Sequence, residues 1–318
     1  MVAGGINMDV KGRTLETPQL GTSNPAQAHL SAGGVARNIA ENLARLGCPV
    51  RLLGAVGPDA LGGALLEQTR AAGVDVELVL RRPEPTGTYT AVLDENGELL
   101  IGLAAMQILD ALLPGAAVDW LPAVRGAALL VLDANLPERT LALLAREARQ
   151  TGIGVVLEPV SAPKATRLRP ALPGASLITP DLAELRALTG LPTRTDGQIE
   201  AAARALTAEG VRHVLVTLGV RGSLHVPEGG PATWTPAAPA AVSDVTGAGD
   251  AFTAGVVAAL LGGQPLPEAA HWGHASAALT VEYGGTVYQD LSPGALRARL
   301  NQPDLGQPDL GQPEQEHP

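Results

Sequence analysis

Residues Val242 to Phe252 read Val-Ser-Asp-Val-Thr-Gly-Ala-Gly-Asp-Ala-Phe and run into the apolar stretch Thr253 to Leu261. Gly247 and Gly249 bracket Ala248, and Asp250 follows them at the start of what reads as a helix. A glycine-rich turn at a helix N-terminus leaves backbone N–H groups free at the positive end of the dipole, where an anion can bind. An acid beside that cradle can take a proton from an attacking hydroxyl. The segment therefore offers an anion site and a general base together. It is not a Walker loop, because no Gly-Lys-Ser/Thr follows, nor a dinucleotide fingerprint, because Phe252 stands where the third glycine belongs. The plain alternative for Asp250 is a helix N-cap, although capping does not call for Gly-Ala-Gly before it.

Other residues carry chemistry at suggestive spacings. Gly33-Gly34 precede a helical stretch carrying Asn38, while Asn7 and Asp9 follow a short first strand. Placed at strand ends, such groups can hold sugar hydroxyls, since Asp accepts and Asn both donates and accepts. A turn at Asn7 and Asp9 and a solvent-facing Asn38 would read the same way. Asp181 with Glu184 resembles a capping box. His271 and His274 sit three apart on a helical run, but without a nearby third ligand a packed helix face outweighs a zinc site. Cys48 reads as a buried structural cysteine, with no histidine close behind it.

These residues need a scaffold, and the chain supplies one. Val35, Ile39, Leu43 and Leu46 recur at helical spacing, Glu41 and Arg45 pair on another face, and Gly47 ends the run. Arg51 to Val56 reads as a strand and Leu61 to Ala72 as a helix. Further strands are expected at Ala127 to Leu132, Gly154 to Leu157, Ser176 to Ile178 and His213 to Thr217, with helices such as Arg139 to Gln150 and Asp181 to Leu188 between them. This alternation predicts an α/β fold with a mainly parallel sheet covered on both faces. Two turn-rich stretches, Val10 to Leu30 and Val76 to Leu103, break the rhythm; Asp94-Glu95-Asn96-Gly97 in the second is a hairpin signal. Paired, they would make a small β lid over the carboxyl ends of the parallel strands, where open sheets bind ligands.

Of the 318 residues, 46% are hydrophobic and 17% charged, a globular composition that supports a sizeable core. A net charge of −10 argues against a nucleic-acid polymer or anionic membrane as partner. No apolar run reaches the roughly 18 residues of a membrane span, and with one cysteine and no signal peptide the chain reads as cytoplasmic. One domain is expected over 1–300, with the Pro- and Gln-rich 301–318 as a disordered tail. Val2-Ala3 is so short a first strand that the natural start is expected a few residues upstream.

Gly33 to Gly47 and Asp244 to Phe252 resemble the two signature motifs of the ribokinase-like (PfkB) carbohydrate kinases, and the match runs from about Gly4 to Asp290. The resemblance implies a three-layer α/β sandwich with a β lid and phosphoryl transfer from ATP to a sugar hydroxyl. It makes Asp250 the base, Gly247, Ala248 and Gly249 the anion hole, and Asn7, Asp9, Gly34 and Asn38 the sugar contacts. The family's Asn-x-x-Glu element falls at Asp181 to Glu184, with Asp in place of Asn, and implies outer-shell contacts to hydrated Mg²⁺. Thr217, Gly219, Gly222 and Thr246 match nucleotide-binding positions, although a plain hairpin at 217–222 would look alike; Asp244 matches a site for a monovalent cation such as K⁺.

Ser23-Asn24-Pro25, Val35 to Asn42, Glu158 to Lys164 and Val281-Glu282-Tyr283 resemble the pseudouridine-kinase branch. That implies a pocket for ribose and a carbon-linked uracil, with Lys164 and Thr88 as base contacts. Aromatic residues make up only 2% of the chain, which favours hydrogen bonding over an aromatic sandwich. Lid edges suggest a homodimer. The rivals are a ribokinase or another sugar or nucleoside kinase, and a catalytically silent nucleoside-binding protein on the same fold.

Overall fold

The chain opens on a two-residue strand, β1 (Val2–Ala3), which is fully buried inside the main sheet. The computed structural model describes residues 1–302, so most of the expected tail lies outside the described residues. The remaining strands are β2 (Asn7–Thr14), β3 (Ala26–Gly33), β4 (Leu52–Val56), β5 (Val79–Arg81), β6 (Thr88–Leu93), β7 (Leu99–Ala105), β8 (Leu129–Asp133), β9 (Gly154–Glu158), β10 (Leu177–Ile178), β11 (His213–Thr217), β12 (Ser223–Pro227) and β13 (Thr233–Thr235).

Nine of them form one sheet in the order β13-β12-β11-β10-β9-β8-β1-β4-β5. It is parallel from β5 through β11, and only the β11–β12 and β12–β13 pairings are antiparallel, so β12 alone is reversed. Alternation within β8 shows why both faces are covered. Leu130 and Leu132 enter one apolar core and Val131 the other, all fully buried. The helices Val35–Arg45, Ala248–Leu261 and Leu266–Tyr283 close the Val131 side; Glu138–Gln150, Leu182–Thr189 and Asp196–Ala208 close the other. Burial on both faces explains the near-continuous apolar runs of the parallel strands.

A second sheet has the order β3-β2-β6-β7. In it β2 pairs antiparallel with β3 and parallel with β6, and the Asp94–Gly97 turn joins β6 to β7. The lid expectation is corrected at one boundary. Val79–Arg81 pairs in parallel with Gly54 to Val56 and belongs to the main sheet, so the second lid piece begins at Thr88. Three consecutive strand residues followed by Arg82-Pro83 are too short a pattern to separate an edge strand from a hairpin arm. Cys48 is half-buried rather than buried, and burial raises its thiol pKa. None of the described helices is long and apolar enough to cross a membrane.

Candidate active site

The Ala248–Leu261 helix begins where the chain turns sharply at Gly247, whose φ of 81° lies in the left-handed region. A Cβ there would sit 2.1 Å from the Thr286 carbonyl oxygen, so this turn admits only glycine. No side chain caps the helix, and among the described residues the amides of Gly249 and Asp250 meet no acceptor. A Cβ on Gly249 would meet nothing within 4 Å, so this glycine is not demanded by packing. The helix N-terminus therefore presents free donors to a cavity of about 300 Å³.

Asp250 lies within the first turn of this helix and does not cap it. Its Oδ2 accepts from Asn38 Nδ2 at 2.7 Å, across 212 residues of sequence. Burial raises its pKa to about 7, the carboxylates of Asp133 and Asp9 push the same way, and the Asn38 hydrogen bond and the Arg37 charge oppose them. A carboxylate titrating near neutrality suits a general base. The capping alternative for Asp250 is thereby excluded.

Three further acids reach this cavity. Glu158, at the end of β9, accepts from Thr253 Oγ1 at 2.7 Å and Thr179 Oγ1 at 3.0 Å. Burial, and then Glu184 and Asp250, hold its carboxyl well above the usual range. Asp181 and Glu184 form the capping box the sequence suggested, with Asp181 N donating to Glu184 Oε2 at 2.9 Å and Glu184 N to Asp181 Oδ1 at 2.7 Å. Burial raises Glu184 to about 7 despite that bond. Val160, in the same lining, has φ 70°, a conformation unfavourable for a β-branched residue.

Asn7, Asp9, Gly34 and Asn38 converge where the lid meets the main sheet. Asn7 Nδ2 donates to Asp9 Oδ1 at 2.6 Å, and the Asp9 carboxylate occupies the space a Cβ on Gly33 would need. Gly34, φ 98°, packs its α-carbon so close to Gly5 that a Cβ would lie 2.4 Å from the Gly5 carbonyl oxygen. Beneath them Asp133, fully buried at the end of β8, accepts from the amides of Gly5 and Ala36, each at 2.9 Å. It thus fastens the start of the Val35–Arg45 helix to the turn after β1. Sequence reading missed Asp133; its signal was an acid ending an apolar strand, Leu129 to Asp133.

Lys164 and Thr88 stand apart from the Asp250 cavity. Lys164 Nζ donates to Asn135 Oδ1 at 2.6 Å, and Asn135 Nδ2 in turn donates to Asp133. Burial lowers the Lys164 pKa. Thr88 lines a separate cavity with Asp59, Pro85, Thr86 and Gln107. Thr217 reaches the Asp250 cavity from the end of β11, whereas Gly219 and Gly222 shape the turn of an antiparallel hairpin to β12. Asp244 accepts from Thr246 N at 2.9 Å and Thr246 Oγ1 at 2.7 Å, and Lys11 Nζ of β2 lies 3.3 Å from its other oxygen. That carboxylate already holds an ammonium, so a monovalent cation there requires Lys11 to withdraw. His274 meets Ser223 Oγ at 2.9 Å and packs on Phe252, as a packed helix face requires.

Comparison with known proteins bears on this arrangement. The model of the pfkB family of carbohydrate kinases matches residues 1–292. The chain belongs to that family. This pfkB kinase is 33% identical over 295 residues to the pseudouridine kinase of Escherichia coli (strain K12), covering 92% of this chain and 93% of that one. It is 27% identical to the pseudouridine kinase of Arabidopsis thaliana, covering 90% and 91%. The structure of Arabidopsis thaliana ribokinase complexed with ribose and ATP superimposes with a TM-score of 0.88 at 28% identity, covering 95% of this chain and 98% of that one. The fold is thus ribokinase-like, and the protein is a sugar or nucleoside kinase, a phosphotransferase with an alcohol acceptor.

No group of three or more His, Cys, Asp or Glu among the described residues forms a metal cage in the kinase. The acids at the cavity, Glu184 and Asp181 with Glu158 behind them, instead fit a largely hydrated Mg²⁺ shared with nucleotide phosphates, because the raised proton affinity of Glu184 and Glu158 marks a site short of positive charge.

Proposed function

We propose that this kinase transfers the γ-phosphoryl group of ATP to the 5′-hydroxyl of pseudouridine, giving pseudouridine 5′-phosphate in nucleoside breakdown. The observation that carries the chemistry is the union of free helix-N-terminal amides with Asp250 at one cavity. Similarity to two pseudouridine kinases over most of the chain supports the substrate.

In this reading the nucleoside lies between the lid and the sheet, with its ribose hydroxyls at Asn7, Asp9 and Asn38 and the Gly34 backbone. Asp250 takes the proton of the attacking hydroxyl. The free amides of Gly249 and Asp250 receive the charge on the transferred group at the turn made by Gly247 and Ala248, whose own Ala248 amide bonds Val245 O at 3.2 Å; catalysis there is mostly positioning and electrostatic stabilisation. Thr217, Gly219, Gly222 and Thr246 hold the nucleotide. Glu184, with Asp181, would hold Mg²⁺ through water, and that ion would neutralise phosphate charge. Potassium at Asp244 would have to displace Lys11. For the uracil, Lys164 with its partner Asn135 and the lid hydroxyl of Thr88 are the groups assigned to its carbonyls and ring N–H.

A ribose kinase is the second reading, favoured by the TM-score of 0.88 to a ribose- and ATP-bound ribokinase. A substrate panel decides between them. Purified protein with ATP and Mg²⁺ should phosphorylate pseudouridine with the highest kcat/KM; preference for free ribose or adenosine would overturn the pseudouridine assignment.

A further inference from the structure

Arg37 is a charged residue with no route to substrate. It is 1% exposed, yet its guanidinium donates in four directions: Nε to Gly33 O at 3.1 Å, one Nη to Ala32 O at 2.9 Å and to Asn38 Oδ1, and the other Nη to Glu41. Arginine carries donors only, so the atom of Asn38 that faces it must be the amide oxygen. The Asn38 NH₂ group is thereby turned the other way, onto Asp250 Oδ2 at 2.7 Å. An asparagine amide has two nearly isosteric orientations, and in the flipped one an oxygen would face the carboxylate. Burying an ion pair is seldom a gain in stability over well-packed apolar residues, so stability alone does not account for Arg37 and Glu41 here.

We propose that Arg37 is a positioning residue for phosphoryl transfer: it locks the Asn38 amide with its NH₂ toward Asp250 and so fixes the orientation of the base. This rests on the reading of Asp250 as the base. Because Arg37 also grips the Ala32 and Gly33 carbonyls at the end of lid strand β3, it ties the base to the root of the lid.

The groups that act on Asp250 come from several elements. They are Asn38 and Arg37 from the Val35–Arg45 helix, Asp9 from β2, Asp133 from β8, Glu158 from β9 and Glu184 from the Leu182–Thr189 helix. On the Leu266–Tyr283 helix, His274 is turned to Ser223 and Phe252. Arg37 is the one cation of this set, so its removal moves the acid limb of the rate profile to higher pH.

The test is a double-mutant cycle of Arg37→Met and Asn38→Ala, with Arg37→Lys and Asp250→Asn alongside, scored by kcat, KM and the pH dependence of kcat/KM. Glu41 keeps Arg45 as a partner in Arg37→Met, which supports folding of the variant and is checked by its melting curve. Arg37→Met should lose about 10- to 100-fold in kcat, the scale of a misplaced reacting group, with KM for ATP little changed. It should cost almost nothing further on the Asn38→Ala background. Arg37→Lys should keep the acid limb near its wild-type position, because the charge remains, while kcat stays low, because the fork is lost. Additive losses, or a lowered melting temperature with unaltered kcat and pH profile, would overturn the assignment. Turnover by Asp250→Asn equal to wild type would instead remove the underlying reading of the base.

Discussion

Asp250 combines two demands that conflict. Its carboxyl is raised from 3.8 to about 7, first by burial, so it is easily protonated at mildly acid pH and costly to ionise at alkaline pH. As a base it must be ionised; kcat/KM should therefore fall about tenfold per pH unit below about 7, which a pH-rate profile reads directly. For stability the sign runs the other way. A carboxyl whose folded pKa is raised contributes stability that is full below its unfolded value and lost as pH rises through about 7. Asp250→Asn should thus melt higher than wild type at pH 8 and lose that advantage toward pH 4. The place of this residue in the first turn of a glycine-led helix was legible from Gly-Ala-Gly-Asp alone, and the role of base is the proposal built on it. Its neighbours were not legible. Asp133 and Glu158 act through partners 21 to 128 residues away, and no local spacing records such contacts. Arg37 bonds only to residues within five positions, but its link to Asp250 runs through Asn38 and shows only in the folded chain.

The two glycines of the Ala248 turn serve different purposes. At Gly247 a side chain collides with the Thr286 carbonyl and φ is positive, so Gly247→Ala should destabilise the fold by about 1–3 kcal/mol and disorder the turn. At Gly249 a methyl group meets no protein atom, so Gly249→Ala should fold with an unchanged melting temperature yet raise KM for ATP or lower kcat. Melting curves with steady-state kinetics of both variants separate a structural glycine from one that leaves room for phosphate. An equal fall in melting temperature for both would contradict this division. Helices with clear apolar spacing and stops, such as Val35–Arg45, were readable within a residue or so, as was β11. The edge strand β5 was misplaced into the lid because three residues carry no information about which sheet they join.

Across the whole molecule, the lid has an unusual surface. Every residue of β7 is exposed, including Leu99, Leu100, Ile101 and Leu103, and Leu30 of β3 is exposed as well. A long apolar edge strand is a liability unless something covers it. We propose that a second copy of the lid does so, giving a homodimer. Light scattering should then show a dimer for wild type and a monomer for Ile101→Lys; a monomeric wild type would end this proposal without touching the catalytic one. The lid's existence was visible in the turn-rich stretches, but the pairing of Lys164 with Asn135 was not, since the two meet only in the folded chain.

The most direct test of the central claim follows the phosphorus. Wild type and Asp250→Asn are each incubated with ATP, Mg²⁺ and pseudouridine, and the products are read by ³¹P NMR. Wild type should give ADP and a monoester resonance coupled to the two 5′ protons, and Asp250→Asn should be slower by about 10²- to 10⁴-fold. Equal rates from the two proteins, or phosphate appearing on water or on another hydroxyl, would contradict the account.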